Sequence, residues 1–274
     1  MTVSEGWLRE QAARLVAVPG VRGVLLGGSR ARGEHTPESD VDLGVYYQPP
    51  LDLDALGALA RDVGGPDAHV SAPGEWGPWV DGGAWLQVAG VPVDWIYRDL
   101  DRVQASWAEA QQGRYQFHAQ VGHPLGVPDF AYAGEVALGV VLADPSGVLG
   151  ALHEAAADYP PALAEALVTG LWEAGFLLDA AGKAVSRGDA AYVAGCLFRA
   201  LGVCVHALHG RAGRWLVNEK GAVASAGRLP GAPAELATRT AELFGHLGAA
   251  PDELALTLDR AAALVEETVA ACAR

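Results

Sequence analysis

Residues 21–47 constrain this chain more than any other stretch. Val21–Leu26 is apolar and runs into Gly27-Gly28-Ser29; after a spacer of ten residues Asp40-Val41-Asp42 opens a second apolar run that ends at Tyr47. The pattern predicts a strand, a tight polar connection with at most a turn or so of helix over Arg30–Gly33, and a second strand. Glycines allow a backbone to approach a ligand closely, and a helix start placed after them favours an anion. Asp40 and Asp42 stand two apart at the head of a strand, so both carboxylates leave one face, roughly 6.5–7 Å apart along it. Hard divalent cations take oxygen ligands of this kind beside a polyphosphate. A phosphate-holding turn next to metal-binding carboxylates points to nucleotide chemistry.

The string Gly28-Ser29-Arg30-Ala31-Arg32-Gly33, followed by Ser39-Asp40-Val41-Asp42-Leu43, resembles the signature of the nucleotidyltransferase superfamily built on the DNA polymerase β catalytic fold. It is most similar to the small bacterial branch with the aminoglycoside, lincosamide and minimal nucleotidyltransferases. The resemblance covers residues 26–45. It implies transfer of a nucleoside monophosphate, AMP from ATP before other nucleotides, to a hydroxyl. It also implies Mg²⁺, two ions, with Mn²⁺ as the substitute, held by Asp40 and Asp42. Gly28 through its backbone, Ser29 through its hydroxyl and N–H, and Ser39 are then the phosphate contacts. Arg30 and Arg32 either meet phosphate or pair with Glu34 or Glu38.

Catalysis in that superfamily uses a third carboxylate on a neighbouring strand, and Asp94 in Val91-Pro92-Val93-Asp94-Trp95-Ile96-Tyr97 is the candidate. Flanked by apolar residues, it is predicted on a central strand, where a buried carboxylate needs a cation or another partner. The resemblance gives it a place as metal ligand, as the base for the attacking hydroxyl, or as both; the structural alternative is a pair with Arg98. Glu75 and Asp81 are read as solvated turn residues. Leu208-His209-Gly210 to Trp215–Gly221 is similar to a segment of the aminoglycoside-type helical domain, which makes Lys220 the phosphate ligand contributed by that domain. Arg199 and His206 lie seven apart and resemble the Arg–His motif of HEPN-type ribonucleases, although the apolar sequence around them favours a core histidine. Trp76, Trp79, Trp85 and Trp95 either stack a base or sugar or fill the core.

Composition narrows the partners. The net charge is −14, and residues 1–149 hold 19 acidic against 9 basic side chains. Such a field repels nucleic-acid backbones, disfavouring polymerase-like and tRNA-directed activities, and attracts small cations. The resemblance implies a small-molecule acceptor of the aminoglycoside or lincosamide kind, and the acidic balance is compatible with a cationic one. Competing readings are a protein-directed adenylyltransferase of the antitoxin type, a nucleotide-binding module without turnover, and a HEPN-type ribonuclease. Cys196, Cys204 and Cys272 have no metal-ligand spacing and read as free thiols. The N-terminal residues lack the pattern of a secretory signal, and the longest unbroken apolar run, Val136–Leu142, is too short for a bilayer span. A cytoplasmic protein acting away from membranes is expected.

Apolar periodicity predicts helices over about 4–18, 51–63 and 100–112, and strands over 21–26, 41–47, 69–72, 84–88 and 91–97, with residues 113–128 an irregular connector. From about Ser146 the pattern is helical throughout. The expected architecture is an α+β nucleotidyltransferase domain, a mixed sheet with flanking helices, over residues 1–145, and an all-α helical-bundle domain over 146–274.

Overall fold

Ser4 accepts a hydrogen bond from the backbone of Trp7 and starts α1 (Glu5–Val16), which turns Trp7, Leu8, Ala12 and Leu15 inward. The computed structural model describes residues 3–33, 35, 36 and 39–273. β1 (Val21–Leu26), the four-residue α2 (Gly28–Ala31), β2 (Val41–Tyr47) and α3 (Leu53–Gly64) follow. β3 (Gly83–Val88) and β4 (Val91–Asp99) are joined through Ala89-Gly90, with φ of 52° and 82°. Two positive φ values in a row match the right-handed twist of a two-residue hairpin. After α4 (Leu100–Ala110) come β5 (Phe117–Gln120), β6 (His123–Pro128), α5 (Ala131–Leu138), β7 (Val140–Ala143) and α6 (Val148–Ala156).

The chain forms two compact units. The first runs to Glu109 and resumes over Gln116–Asp158; the second comprises Ala110–Tyr115 and the chain from Tyr159 onward. The first unit is built on a five-stranded sheet in the order β3-β4-β2-β1-β7. β2 and β4 pair parallel, and the other neighbours pair antiparallel, so the sheet is mixed, as the sequence predicted. One face is apolar along its length: Leu43, Val45, Val93 and Trp95 pack against Leu8, Leu15, Leu56 and Ala60 of α1 and α3. On the other face Leu25 and Tyr46 meet Leu100, Tyr132, Val136 and Leu149 from α4–α6. That second layer sits over the Tyr46 end of β2.

The second unit is helical: α7 (Pro161–Thr169), α8 (Trp172–Val185), α9 (Ala190–Arg211), α10 (Ala222–Ala226), α11 (Leu236–Gly245) and α12 (Pro251–Cys272). α9 lies at its centre, with α7, α8, α10 and α12 packed on it. Two helical stretches, Pro161–Val185 and Ala190–Arg211, are long and apolar enough by composition to cross a bilayer, a length that the unbroken apolar runs of the sequence do not reveal. The second of them supplies Val193, Leu197, Leu201 and Cys204 to the core of this unit.

Three local expectations change. Residues 69–72 form no strand: Ser71 alone bridges to Gly83, through its N–H at 2.9 Å and by accepting from Gly83 N at 2.8 Å, and Pro73 removes the next donor. Residues 113–128 are not an irregular connector, because 117–128 fold into the β5–β6 hairpin; Gly126, at φ +91°, has no room for a Cβ against His118 O, at 2.9 Å. Asp81 is not solvated. It is buried, accepts from Tyr47 Oη at 2.9 Å and pairs with Arg102 at 3.2 Å.

Arg98 is buried beside Tyr46 and binds Glu135 of α5 at 2.7 Å and Tyr97 O at 3.0 Å. Removing one member of a buried pair strands the other charge, which costs about 3–5 kcal/mol. Arg98→Met should therefore lower the unfolding free energy obtained from urea titration by an amount in that range. The double variant Arg98→Met/Glu135→Leu should recover most of the loss, a non-additivity that a double-mutant cycle reads directly.

Candidate active site

β2 alternates its side chains, so Asp42, Gly44 and Tyr46 share the face that α4–α6 cover. Their partners on β4 are Asp94, Ile96 and Arg98. Along that line the sheet changes character: an apolar floor at Tyr46, then Gly44, where a Cβ would lie 3.5 Å from Glu135 Oε1, then two facing carboxylates. Asp40, just ahead of β2, brings the third. One carboxylate oxygen from each of Asp40, Asp42 and Asp94 lies within 4.8 Å of the others; Asp40 is exposed and the other two are half-buried.

The turn after β1 closes on this cluster. Gly27 N donates to Asp42 O at 2.8 Å, continuing the β1–β2 ladder by one residue. Gly28 has φ +63°, and a Cβ there would lie 1.8 Å from Asp42 Oδ2. Both facts demand glycine: the backbone conformation is left-handed, and the side-chain space belongs to the carboxylate. Ser29 follows on α2, half-buried.

Three carboxylates so close raise one another's cost of ionising. Burial first, then the charges of Asp40, Asp94 and Glu135, push the Asp42 carboxyl from its ordinary 3.8 up to about 6, with Arg32 acting in the opposite sense. Asp94 is raised as well, by burial and by Asp40. A set of hard oxygen donors that resist ionising together, cleared by a missing Cβ at Gly28, fits a divalent cation of the Mg²⁺ or Mn²⁺ type.

The other expected residues fall as follows. Asp94 does not pair with Arg98, which is held by Glu135. Arg30 donates from Nε to Asp40 O at 2.9 Å and from its terminal amine to Ser39 O at 2.7 Å, so it braces the lead into β2. The alternative pairing of Arg30 or Arg32 with Glu34 or Glu38 lies outside the described residues. The Ser39 hydroxyl accepts from Thr36 N at 3.0 Å within the connection that precedes Asp40. Lys220 lies in the second unit, between α9 and α10, with its side chain exposed and its backbone N–H bonded to Asn218 Oδ1 at 2.9 Å. Arg199 binds Glu173 at 2.7 Å, and His206 is buried, its pKa lowered to about 3 chiefly by that burial. A neutral histidine sealed in a helical core is out of reach of an RNA backbone.

Glu135 is the contributor that motif reading missed, and Arg30, expected at phosphate or at Glu34 or Glu38, instead holds the backbone of Ser39 and Asp40. Neither residue type carries a local signal; only the packing of α5 under Gly44, and the return of α2 onto residues 39–40, bring them to the cluster.

Residues 7–81 match the nucleotidyltransferase domain family, a span that holds Gly28, Ser29, Asp40 and Asp42 and stops short of Asp94. Over that span the chain is similar to nucleotidyltransferase domains, and the structure brings Asp94 to Asp40 and Asp42 to form a cluster of three candidate catalytic carboxylates. Among solved structures it is similar to the crystal structure of a nucleotidyltransferase-like protein from Exiguobacterium sibiricum, at 12% identity over 96% of this chain and 74% of that chain, with a TM-score of 0.47. No curated protein matches it.

Two measurements probe the cluster. In metal-free protein the folded state keeps a proton on Asp42 between pH 3.8 and about 6 that the unfolded chain has released. Ionised Asp42 therefore destabilises the fold above that window, by on the order of 2 kcal/mol, and not below it. The stability of Asp42→Asn relative to wild type should rise by that amount between pH 4 and pH 6.5 in urea titrations with chelator. Gly28→Ala should stay folded but lose roughly tenfold or more in Mn²⁺ affinity by calorimetry, because the methyl group displaces Asp42 Oδ2.

Proposed function

We propose that this protein transfers AMP from ATP to a hydroxyl of a small cationic acceptor of the aminoglycoside or lincosamide kind. The observation that carries the transferase chemistry is the register of Asp42 opposite Asp94, with Asp40 completing the cluster beside the Gly27–Ser29 turn. The acceptor class rests on the motif resemblance and on the acidic balance of the first half of the chain.

Gly28 and Ser29 hold the outer phosphates by backbone N–H groups and hydroxyl, and Arg30 keeps Asp40 in place through its carbonyl. Asp94, facing Asp42 from β4, takes the proton of the attacking hydroxyl. The hydroxyl oxygen bonds to the α-phosphorus as the bond to the bridging oxygen breaks, and pyrophosphate leaves on the opposite side. Asp40, Asp42 and Asp94 would hold a divalent metal, which would supply positive charge to offset the negative charge building on the phosphoryl oxygens.

Pyrophosphate release from each nucleoside triphosphate with Mg²⁺, across aminoglycosides, lincosamides and a no-acceptor control, tests the reading. Release should depend on ATP and on one compound class, and Asp42→Asn should reduce it by about 10³-fold, roughly 4 kcal/mol of transition-state stabilisation. Undiminished release in that variant would remove the carboxylate mechanism.

A further inference from the structure

Across the sheet the strand order sets Gly28, Asp42, Asp94 and Trp85 in a row. Gly28 follows β1 and abuts Asp42; Asp42 faces Asp94 on β4; and Asp94 faces Trp85 on β3. Directly opposed residues in a ladder project from the same face. Trp85 therefore stands beside the carboxylates, on the side away from the phosphate turn, three strand spacings or roughly 14 Å from Gly28.

Trp85 is 69% exposed, while its strand neighbours Ala84 and Leu86 are buried. Its ring is held in place all the same. The indole of Trp76 stacks on it with centroids 4.2 Å apart and planes 10° from parallel. Gly83, one pleat along β3, leaves room for Trp76: a Cβ there would meet Trp76 Cη2 at 3.2 Å. The loop carrying Trp76 is clamped by Gln120, itself buried, which donates to Trp76 O at 2.9 Å and accepts from Trp79 N at 2.9 Å and Val80 N at 3.1 Å. With one face of Trp85 on Trp76, its exposure belongs to the other face and the ring edges. An indole fixed by a second indole, next to a reacting centre and open to solvent, stabilises its own fold little and is well prepared for a ligand.

We infer that Trp85, backed by Trp76, is the platform for the acceptor's ring. The inference rests on the transfer reading above, and in-line geometry selects the occupant. Pyrophosphate leaves toward the Gly27–Ser29 turn, so the attacking hydroxyl enters from the Asp94 side, where Trp85 lies. The electron-rich indole face and the surrounding acidic charge favour a saturated ring that presents C–H bonds on one side and ammonium groups around its rim, as an aminocyclitol or amino sugar does. Trp85 is a specificity residue in this scheme, and Trp76 and Gln120 position it.

The test separates acceptor affinity from nucleotide affinity and needs no turnover. Kanamycin, streptomycin, spectinomycin and lincomycin are titrated by calorimetry into wild type, Trp85→Ala and Trp85→Phe, each with Mg²⁺ and α,β-methylene-ATP. At least one ring compound should bind wild type, weaken roughly ten- to hundredfold in Trp85→Ala and stay within a few-fold in Trp85→Phe, with the analogue's own affinity within about twofold. Loss of analogue affinity in Trp85→Ala would assign the platform to the nucleotide base and overturn the inference. So would an acceptor affinity that ignores the substitution, or no binding of any ring compound to wild type. Pyrophosphate release is recorded in parallel: Trp85-dependent binding without release would sink the transfer reading and leave the platform standing.

Discussion

The parallel pairing of β2 with β4 is the constraint on which the site depends. It sets two carboxylates side by side with no freedom to separate, because each strand is fixed from below by an apolar layer and laterally by a further antiparallel neighbour. The repulsion is tolerated because the sheet is secured elsewhere: α1 and α3 seal one face, and α4–α6 seal the other from Leu25 to Tyr46. At the Asp42 end Asp40 and Trp85 are exposed. The arrangement converts packing energy into an electrostatic demand for a cation, which is the condition nucleotidyl transfer needs.

The geometry at the Asp42 end was legible because it is local. Gly27-Gly28-Ser29 and Asp40-Val41-Asp42 sit within one strand–turn–strand, and the positive φ of Gly28 and its contact with Asp42 are the physical reasons for the glycine. Asp94 was named at longer range because the resemblance calls for a third carboxylate on a neighbouring strand and the apolar flanks Val93 and Trp95 mark one. What stayed hidden depends on packing between distant segments. Nothing near Asp81 announces that Tyr47 and Arg102 would close over it, and nothing near Glu135 announces Arg98. The β5–β6 hairpin was masked by its Gly, His and Pro content, since its geometry relies on Gly126 and on an edge position where prolines are tolerated.

In the helical unit the reverse holds. Helix positions are strongly patterned and were readable, yet the roles of individual polar residues were not. Arg199 and His206 look like a motif on paper, but the first is taken up by Glu173 and the second lies inside α9's core contacts. A spacing of seven on a helix puts two residues on one face; it does not say whether that face meets water.

The division of labour across the sheet also bears on how such a protein diversifies. Asp42 and Asp94 belong to two of the three inner strands, where a change of backbone would disturb both faces of the sheet at once. Trp85 belongs to β3, at the sheet's edge, and Trp76 to the loop that precedes it. Insertions and substitutions in that rim can be absorbed without moving the carboxylates. Natural selection is thus free to try new acceptors at the margin while inheriting the reaction unchanged from the interior.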